Sequence, residues 1–545
     1  MRRTVPQRRW RKRVAALGAL LLAAGAGLPP AVQAADPAAA NGWVVDARDA
    51  ARKRDLPRLA GAKAALALAQ HPLALWADYW DLNARIKELT VDEVEAFYAR
   101  WPGSYVEDRL RNDWLLELGR RRDLANLARD YPRFRMNDDR EVSCWWLLTE
   151  HQAGRDVTEA ARKAWFAQRD MDDGCQALAT AMVEARRFGP DELWRKARLS
   201  LEGQRPGGAK AAVALLGGPP AKDVGEAIDN PARFLARSAG ITRNAHELRL
   251  LALMRLAVND ADATAALLAD NKVALPRAHL GWAWAYLARQ TAFRLQPEAA
   301  DQVAAAWAAL RNEPPPGFSD ETLAWNLRAV LRAPPTPARW ALVLRQIEAL
   351  SPGEQADAAW TYWKARALTA TAPAGADGDA QRAEARSLHE RIASPLGFYN
   401  SLAADELGLK PPLPANAAPP TAAERDAARQ SPGLQRALML VSLGLRDEAR
   451  REWNYTLRGM ADRELLAAAR LACEAADWQL CINTAERSRG EIDLNLRYPM
   501  PWAAEITQAA QAAGLEPAFV FGLIRQETRF MPQLRSSVGA TGLMQ

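Results

Sequence analysis

The chain has 545 residues, more than one hydrophobic core supports, so its length predicts two or more domains or a long repetitive array. Its formal net charge is +7, and a basic excess is typical of proteins that bind nucleic acid or anionic membranes. However, the first 34 residues carry seven basic and no acidic side chains, so the remainder is neutral. The charge therefore excludes nucleic acid as a favoured partner.

Residues 1–34 have the three parts of a secretory signal peptide. A basic segment is followed by an apolar stretch over residues 14–28 and by the small-residue cleavage site Val32-Gln33-Ala34. A membrane anchor is the alternative, but 15 apolar residues fall short of the roughly 20 that span a bilayer. No cysteine precedes Cys144, which excludes a lipid anchor on an N-terminal cysteine. The pattern predicts export with cleavage of this segment.

Four cysteines follow the signal, and an oxidising compartment would allow them to form disulfides. Sequence proximity favours Cys144 with Cys175 and Cys473 with Cys481, although four cysteines allow three pairings. A zinc site is the alternative, but the chain has no CxxC motif and its five histidines are scattered. The phosphate-binding GxxxxGK[ST] and zinc-binding HExxH motifs are also absent from the sequence. We therefore expect neither a metal nor a cofactor.

From residue 35 to about residue 410 the sequence predicts one helix after another. Thr90 with Glu93 and Ser104 with Glu107 have the spacing of capping boxes, in which the hydroxyl and the carboxylate each satisfy a free backbone N–H. The second box precedes apolar residues at helical spacing: Leu110, Trp114, Leu115 and Leu118. No stretch shows sustained period-two alternation. The pattern predicts an all-α fold, with an α-superhelix or solenoid of helix pairs over residues 35–410.

Tryptophan is abundant, with twenty residues, several of them clustered. The clusters are Trp145-Trp146, Trp282 with Trp284, and Trp360 with Trp363. Aromatic rings can stack on sugars, but at helical spacing in a solenoid they more often belong to the core. We expect these tryptophans to be core residues.

A proline-rich segment over residues 411–420 marks a domain boundary, because it is too stiff and too poor in N–H donors to continue a helix. A helical linker domain is predicted after it, over residues 421–490, and contains the second cysteine pair. Residues 491–545 form the last predicted segment.

A helix is predicted from Phe519 to Phe530, after the helix stop at Gly514 and with Pro517 suited to its first turn. Val520, Leu523, Ile524 and Glu527 follow the i, i+3, i+4, i+7 pattern of one helix face. Partial burial there would raise the carboxyl pKa, as a general acid needs near neutral pH. The alternative is a structural ion pair, in which Arg525 or Arg529 holds Glu527 at a surface.

Two motifs favour the catalytic interpretation. Residues 524–530, IRQETRF, and residues 536–545, SSVGATGLMQ, closely resemble the RQES and GxxGLMQ motifs of the soluble lytic murein transglycosylases, at matching separation. Residues 497–501, RYPMP, are similar to the segment that opens their catalytic domain. The resemblance extends to residues 362–366, Phe398-Tyr399 and the placement of Cys144 and Cys175, and so covers almost the whole mature chain. Thr528 stands where Ser is usual, and it keeps the hydroxyl.

The resemblance implies an α-superhelix, a linker domain and a lysozyme-like catalytic domain beginning at residue 491. Glu527 would be the acid and base that cleaves the β-1,4 bond between N-acetylmuramic acid and N-acetylglucosamine in peptidoglycan, forming 1,6-anhydromuramic ends. Ser536 would contact the carboxyl or the substrate's acetamido group, unless it is an ordinary cap or turn serine. Gln545 would contact a glycan sugar, and Gly539 and Gly542 would allow tight turns.

Export with cleavage of the signal predicts a periplasmic location and leaves open a peripheral position at the outer membrane. The resemblance implies glycan strands as the partner and other cell-wall enzymes as a further partner class. About 50 residues follow Arg497, whereas a lysozyme-like domain needs on the order of 100. We therefore expect a C-terminally truncated, inactive chain with a poorly ordered end. Two other functions remain open: a lysozyme-like hydrolase that uses water, and a non-enzymatic α-solenoid scaffold.

Overall fold

The structure, a computed structural model, describes residues 37–237, 240–311 and 317–545. Over these residues it is all-α, as predicted, and the only β pairing is an isolated bridge between Arg535 and Thr541. The predicted signal peptide over residues 1–34 lies outside the described residues. The chain divides into two compact units, one holding the residues up to Trp114 together with Asn416–Gln545, the other Leu115–Ala415.

The described part of the first unit begins with five α-helices. They are α1 (Pro37–Lys53), α2 (Leu56–Leu68), α3 (Ala74–Ala84), α4 (Val91–Arg100) and α5 (Tyr105–Arg121), the last of which crosses into the second unit. The Thr90–Glu93 capping box is present at the start of α4. At α5 Ser104 Oγ accepts the N–H of Glu107, while the Glu107 carboxylate accepts from Gly103 rather than from Ser104. The second predicted box is therefore only half formed.

The second unit consists of helices joined by short turns. They are α6 (Leu124–Asp130), α7 (Arg140–Gln152), α8 (Thr158–Ala167), α9 (Asp173–Glu184), α10 (Pro190–Glu202), α11 (Pro206–Ala214), α12 (Gly218–Asp229), α13 (Pro231–Ala236), α14 (Arg243–Asn259), α15 (Ala261–Ala269), α16 (Arg277–Phe293), α17 (Ala299–Leu310), α18 (Asp320–Arg332), α19 (Pro337–Ala349), α20 (Pro352–Gln355), α21 (Ala358–Thr371), α22 (Asp379–Ile392) and α23 (Phe398–Glu406). Sequence neighbours such as α16 with α17 and α21 with α22 pack as pairs.

A disulfide between Cys144 and Cys175 joins α7 to α9, which is the pairing that sequence proximity favours. Both cysteines are fully buried. The prediction that the clustered tryptophans are core residues holds for one member of each cluster. Trp145, Trp282 and Trp360 are buried in the core. The other members, Trp146, Trp284 and Trp363, are partly exposed.

The first unit resumes after the proline-rich segment, which has no helix between Glu406 and Ala422, as predicted. Its helices are α24 (Ala422–Gln430), α25 (Pro432–Ser442), α26 (Arg446–Thr456), α27 (Asp462–Glu474), α28 (Trp478–Ala485), α29 (Leu494–Arg497), α30 (Ala503–Ala512) and α31 (Pro517–Glu527). A disulfide joins Cys473, in α27, to Cys481, in α28. The predicted domain boundaries at residues 410 and 490 stay predictions.

A buried carboxylate connects the two segments of the first unit. Glu452 in α26 is 0% exposed and accepts two bonds from Arg436, from Nε at 2.9 Å and from Nη2 at 2.7 Å. Trp76 in α3 donates its indole N–H to the other carboxylate oxygen at 3.1 Å. Arg48 in α1 also pairs with Glu448, at 2.7 Å. Helices from the start of the chain are thus fixed to α26 by charged hydrogen bonds.

In the second unit Lys196 of α10 is only 4% exposed. Its ammonium donates to the backbone carbonyls of Trp165 and Gln168, at 2.5 and 2.9 Å, and so satisfies the C-terminal end of α8. Burial lowers the pKa of Lys196 to about 8, with a smaller lowering from Arg140, although Asp172 opposes the change.

We expect this lysine to give stability a pH dependence above pH 8. Between about pH 8 and the unfolded value of 10.5 the unfolded chain binds more protons than the folded chain, so the free energy of unfolding rises with pH. A Lys196→Met variant should lack this rise, which amounts to at most about 3 kcal/mol. Urea unfolding of both proteins from pH 7.5 to 10.5 measures the difference. Parallel pH profiles would show that Lys196 titrates normally.

Candidate active site

The helix that carries Glu527, α31, packs against α28 and α30 of the first unit. Val520, Phe521 and Ile524 of α31 are buried, and they form one hydrophobic cluster with Ile506 of α30 and Ile482 of α28. Burial of one apolar stripe of a helix against neighbours fixes its rotation about its axis. Glu527, the last residue of α31, is therefore held at a defined place.

The Glu527 carboxylate itself is exposed. The expected half-burial beside Val520, Leu523 and Ile524 is not observed, because α31 ends at Glu527 and the chain then turns away from it. Among the described residues no hydrogen bond or ion pair engages this carboxylate. It is open to solvent and available to a ligand.

The neighbouring arginines bind a different carboxylate. Arg525 and Arg529 pair with Glu486, at 2.5 and 2.8 Å, and Arg525 Nε also donates to the Arg497 carbonyl at 2.9 Å. Partial burial raises the pKa of Glu486, but the bonds from Arg529 and Arg525 outweigh it and lower that pKa overall. The structural ion pair proposed as the alternative for Glu527 is thus formed by Glu486, which no sequence signal marked out.

The backbone after Glu527 departs from the predicted helix, which was expected to continue to Phe530. Arg529 and Phe530 both have positive φ, at 50° and 61°, in the left-handed region that non-glycine residues rarely adopt. Phe530 is nevertheless 1% exposed and packs near Phe521, with ring centroids 6.1 Å apart. Burial of this ring holds the strained turn in place.

Thr528 connects the helix to the second motif. It is 1% exposed, and its hydroxyl contacts the carbonyls of Ile524 and Leu543, at 3.3 and 2.8 Å. Since the Ile524 carbonyl lies one helical turn back and Leu543 lies in the second motif, this hydroxyl joins the two motifs directly. The Ser-to-Thr departure therefore preserves a structural hydrogen bond.

We expect Thr528→Val to loosen the second motif. The valine keeps the shape of the side chain but leaves the Leu543 carbonyl without this donor, at a cost of about 1 kcal/mol. Hydrogen exchange of residues 536–545 should become roughly fivefold faster. Thr528→Ser retains the hydroxyl and should exchange like the parent protein. Equal protection in Thr528→Val would show that this bond does not order the motif.

Ser536 and Gln545 both lie in the turn formed by residues 533–545. Ser536 Oγ accepts the backbone N–H of Ala540 at 2.9 Å, and Gln545 Nε2 donates to the Leu534 carbonyl at 3.1 Å. Gly539 and Gly542 have φ of 92° and 96°, so both occupy conformations that glycine adopts readily. Ser536 thus has the turn-stabilising contact that was its alternative role.

No group of three or more His, Cys, Asp or Glu side chains in the described ranges is arranged to hold a metal ion. Within residues 37–237, 240–311 and 317–545, no helix is both long and apolar enough to cross a membrane.

Family models match two parts of the first unit. The model described as "Soluble lytic murein transglycosylase L domain" matches residues 427–488, and the "Transglycosylase SLT domain" matches residues 505–545. Glu452 and Glu486 fall within the first match, and Glu527 and both motifs fall within the second.

Several known proteins are similar to this chain over most of its length. The soluble lytic murein transglycosylase of Escherichia coli K12 is 22% identical over 88% of this chain and 72% of its own length, and that of Salmonella typhimurium is 23% identical over the same shares. An inactive mutant of the lytic transglycosylase Slt from Pseudomonas aeruginosa has a TM-score of 0.61 and 24% identity, covering 92% of this chain and 80% of that one. The 70 kDa soluble lytic transglycosylase complexed with bulgecin A has a TM-score of 0.59 and 18% identity, covering 94% and 80%.

The SLT domain match over residues 505–545, which contains Glu527 and both motifs, indicates an enzyme of the lytic transglycosylase class. Residues 427–488 and 505–545 match the L-domain and SLT-domain models. Over most of its length the chain is similar to the soluble lytic murein transglycosylases.

Proposed function

We propose that this enzyme cleaves the β-1,4 bond between N-acetylmuramic acid and N-acetylglucosamine in peptidoglycan, with Glu527 as its acid and base. The observation that carries the proposal is the exposed Glu527 carboxylate, held on a packed helix end and left free because Glu486 engages both adjacent guanidiniums. Glycan strands are the proposed partner, and cleavage of the signal at residues 1–34 would place the enzyme in the periplasm.

Protonated Glu527 donates its proton to the glycosidic oxygen as that bond breaks. The substrate's acetamido group stabilises the positive charge at C1, so a second protein carboxylate is not required. Glu527, now ionised, takes the proton of the 6-hydroxyl, whose oxygen attacks C1 and closes a 1,6-anhydro ring. No water is consumed.

The bound glycan would supply the shelter that Glu527 lacks in the unliganded protein. A sugar lying over the carboxylate displaces water from it. Ser536 and Gln545, in the turn held by Thr528, are proposed to contact the substrate, and both would then exchange their present backbone bonds for bonds to the sugar.

The experiment that tests this function is mass spectrometry of the products released from purified peptidoglycan. Intramolecular closure gives anhydromuramic ends, whereas a lysozyme-like hydrolase adds water and gives products about 18 mass units heavier. Exclusively hydrated products would replace the proposal by the hydrolase alternative.

A further inference from the structure

The second unit contains a cavity of about 670 Å³. This volume lies within the range of about 300–1,000 Å³ that is typical of small-molecule sites. Small, buried side chains form the floor of this cavity. They belong to one cluster of three alanines from three different helices, Ala292, Ala299 and Ala329. Small side chains at the crossing of α16, α17 and α18 leave the space that larger residues would fill.

Aromatic rings from three helices line this cavity. Trp325 of α18, Trp363 of α21 and Tyr399 of α23 are each only partly buried, in contrast to the fully buried tryptophans of the core. Phe293, itself 40% exposed, meets Trp325 edge to face with centroids 4.5 Å apart, and so fixes that ring. Ring faces of this kind pack against the apolar C–H faces of a pyranose.

Guanidinium groups form the polar side of the cavity. Trp325, Arg328 and Arg332 stand at i, i+3 and i+7 of α18, so they lie along one face of that helix. Arg328 lies over the Trp325 ring at 5.1 Å. Over the part of the chain that the structure describes, neither Arg328 nor Arg332 has a carboxylate at ion-pair distance. The cavity's own carboxylate, Asp301, is already paired with Arg339.

We propose that this cavity binds a carboxylate-bearing amino sugar, such as N-acetylmuramic acid carrying a peptide. The two free guanidiniums match a carboxylate, the rings match the sugar, and the net positive charge disfavours a cationic ligand. The choice of sugar rests on the proposed function. The site lies in a different unit from Glu527 and so constitutes a second glycan contact.

Calorimetric titration of the 545-residue chain with N-acetylmuramoyl-L-alanyl-D-isoglutamine tests the inference. The muramyl peptide should bind to the parent chain. The variant Arg332→Glu, which reverses the charge of an exposed side chain of the cavity, should bind it at least about tenfold more weakly. Arg328→Gln combined with Arg332→Gln provides a second variant. Arg277→Glu, at an exposed arginine of the same unit outside the cavity, is the matched control and should bind like the parent. Circular dichroism confirms that each variant is folded.

Two further ligands test the sugar and the carboxylate separately. Neutral chitotetraose has sugar rings without a carboxylate, and the dipeptide alone has a carboxylate without a sugar, so both should bind more weakly than the muramyl peptide. Binding unaffected by either cavity variant, or no binding to the parent chain, overturns the inference. Binding lost in Glu527→Gln but kept in Arg332→Glu places the ligand at the candidate active site, which also overturns it. The two proposals can also fail separately. If the muramyl peptide binds to the cavity but the products released from peptidoglycan are not anhydro-sugars, the proposed function is wrong and the sugar site in the cavity is still supported.

Discussion

Cleavage of peptidoglycan falls by a factor of about a thousand or more in Glu527→Gln, because an amide can neither donate a proton to the glycosidic oxygen nor accept one from the 6-hydroxyl. General acid–base groups typically contribute roughly 10²–10⁴-fold, and this one acts in both steps. The comparison requires a parent protein that cleaves peptidoglycan, and the measurement is the release of anhydromuropeptides from purified sacculi by parent and variant.

The matched control is Glu505→Gln, which makes the same change at an exposed glutamate of α30. It should retain parental activity. Glu527→Gln itself should melt at the parental temperature, since the carboxylate is exposed and has no partner among the described residues. A folded Glu527→Gln protein with undiminished cleavage would remove Glu527 from the mechanism.

The largest loss of stability is expected from Glu452→Ala. That change leaves the Arg436 guanidinium and the Trp76 indole N–H without their acceptor in a buried site. Removal of one partner of a buried ion pair typically lowers the free energy of unfolding by about 3–5 kcal/mol. Urea unfolding followed by tryptophan fluorescence gives the value.

Glu474→Ala is the control for this change, because Glu474 pairs with Arg429 at the surface. Exposed pairs contribute about 0–1 kcal/mol, so this variant should unfold almost like the parent. A double replacement, Glu452→Leu with Arg436→Met, should recover much of the loss because both charges leave the buried site. Equal effects of Glu452→Ala and Glu474→Ala would show that Glu452 is not buried in solution.

Much of the fold follows from local sequence rules. The Thr90–Glu93 box, the proline-rich break at residues 411–420 and the cysteine pairs each depend on residues close in sequence, and the structure has all of them. The all-α class follows from the same kind of pattern. The grouping of residues 37–114 with 416–545 depends on Glu452 meeting Trp76, a contact 376 positions apart, which periodicity does not reveal.

The candidate site shows the same limit. Helical spacing correctly placed Val520 and Ile524 in the core but also predicted shelter for Glu527. The spacing assumes that the helix continues, whereas the left-handed backbone of Arg529 and Phe530 reverses the chain one residue after the carboxylate. Glu486 was missed because a lone glutamate some 40 positions upstream has no motif.

The discontinuous first unit has a consequence for how the protein is made. Its opening helices emerge roughly 300 residues before the segment that completes their core, and closing a loop of that length costs about 5 kcal/mol of chain entropy. Until then Trp76 has no Glu452 to receive its N–H. Residues 416–545 expressed alone would lack Trp76, the donor to Glu452. A shortened protein that carries Glu527 must therefore keep both segments of the first unit, linked or supplied as two polypeptides.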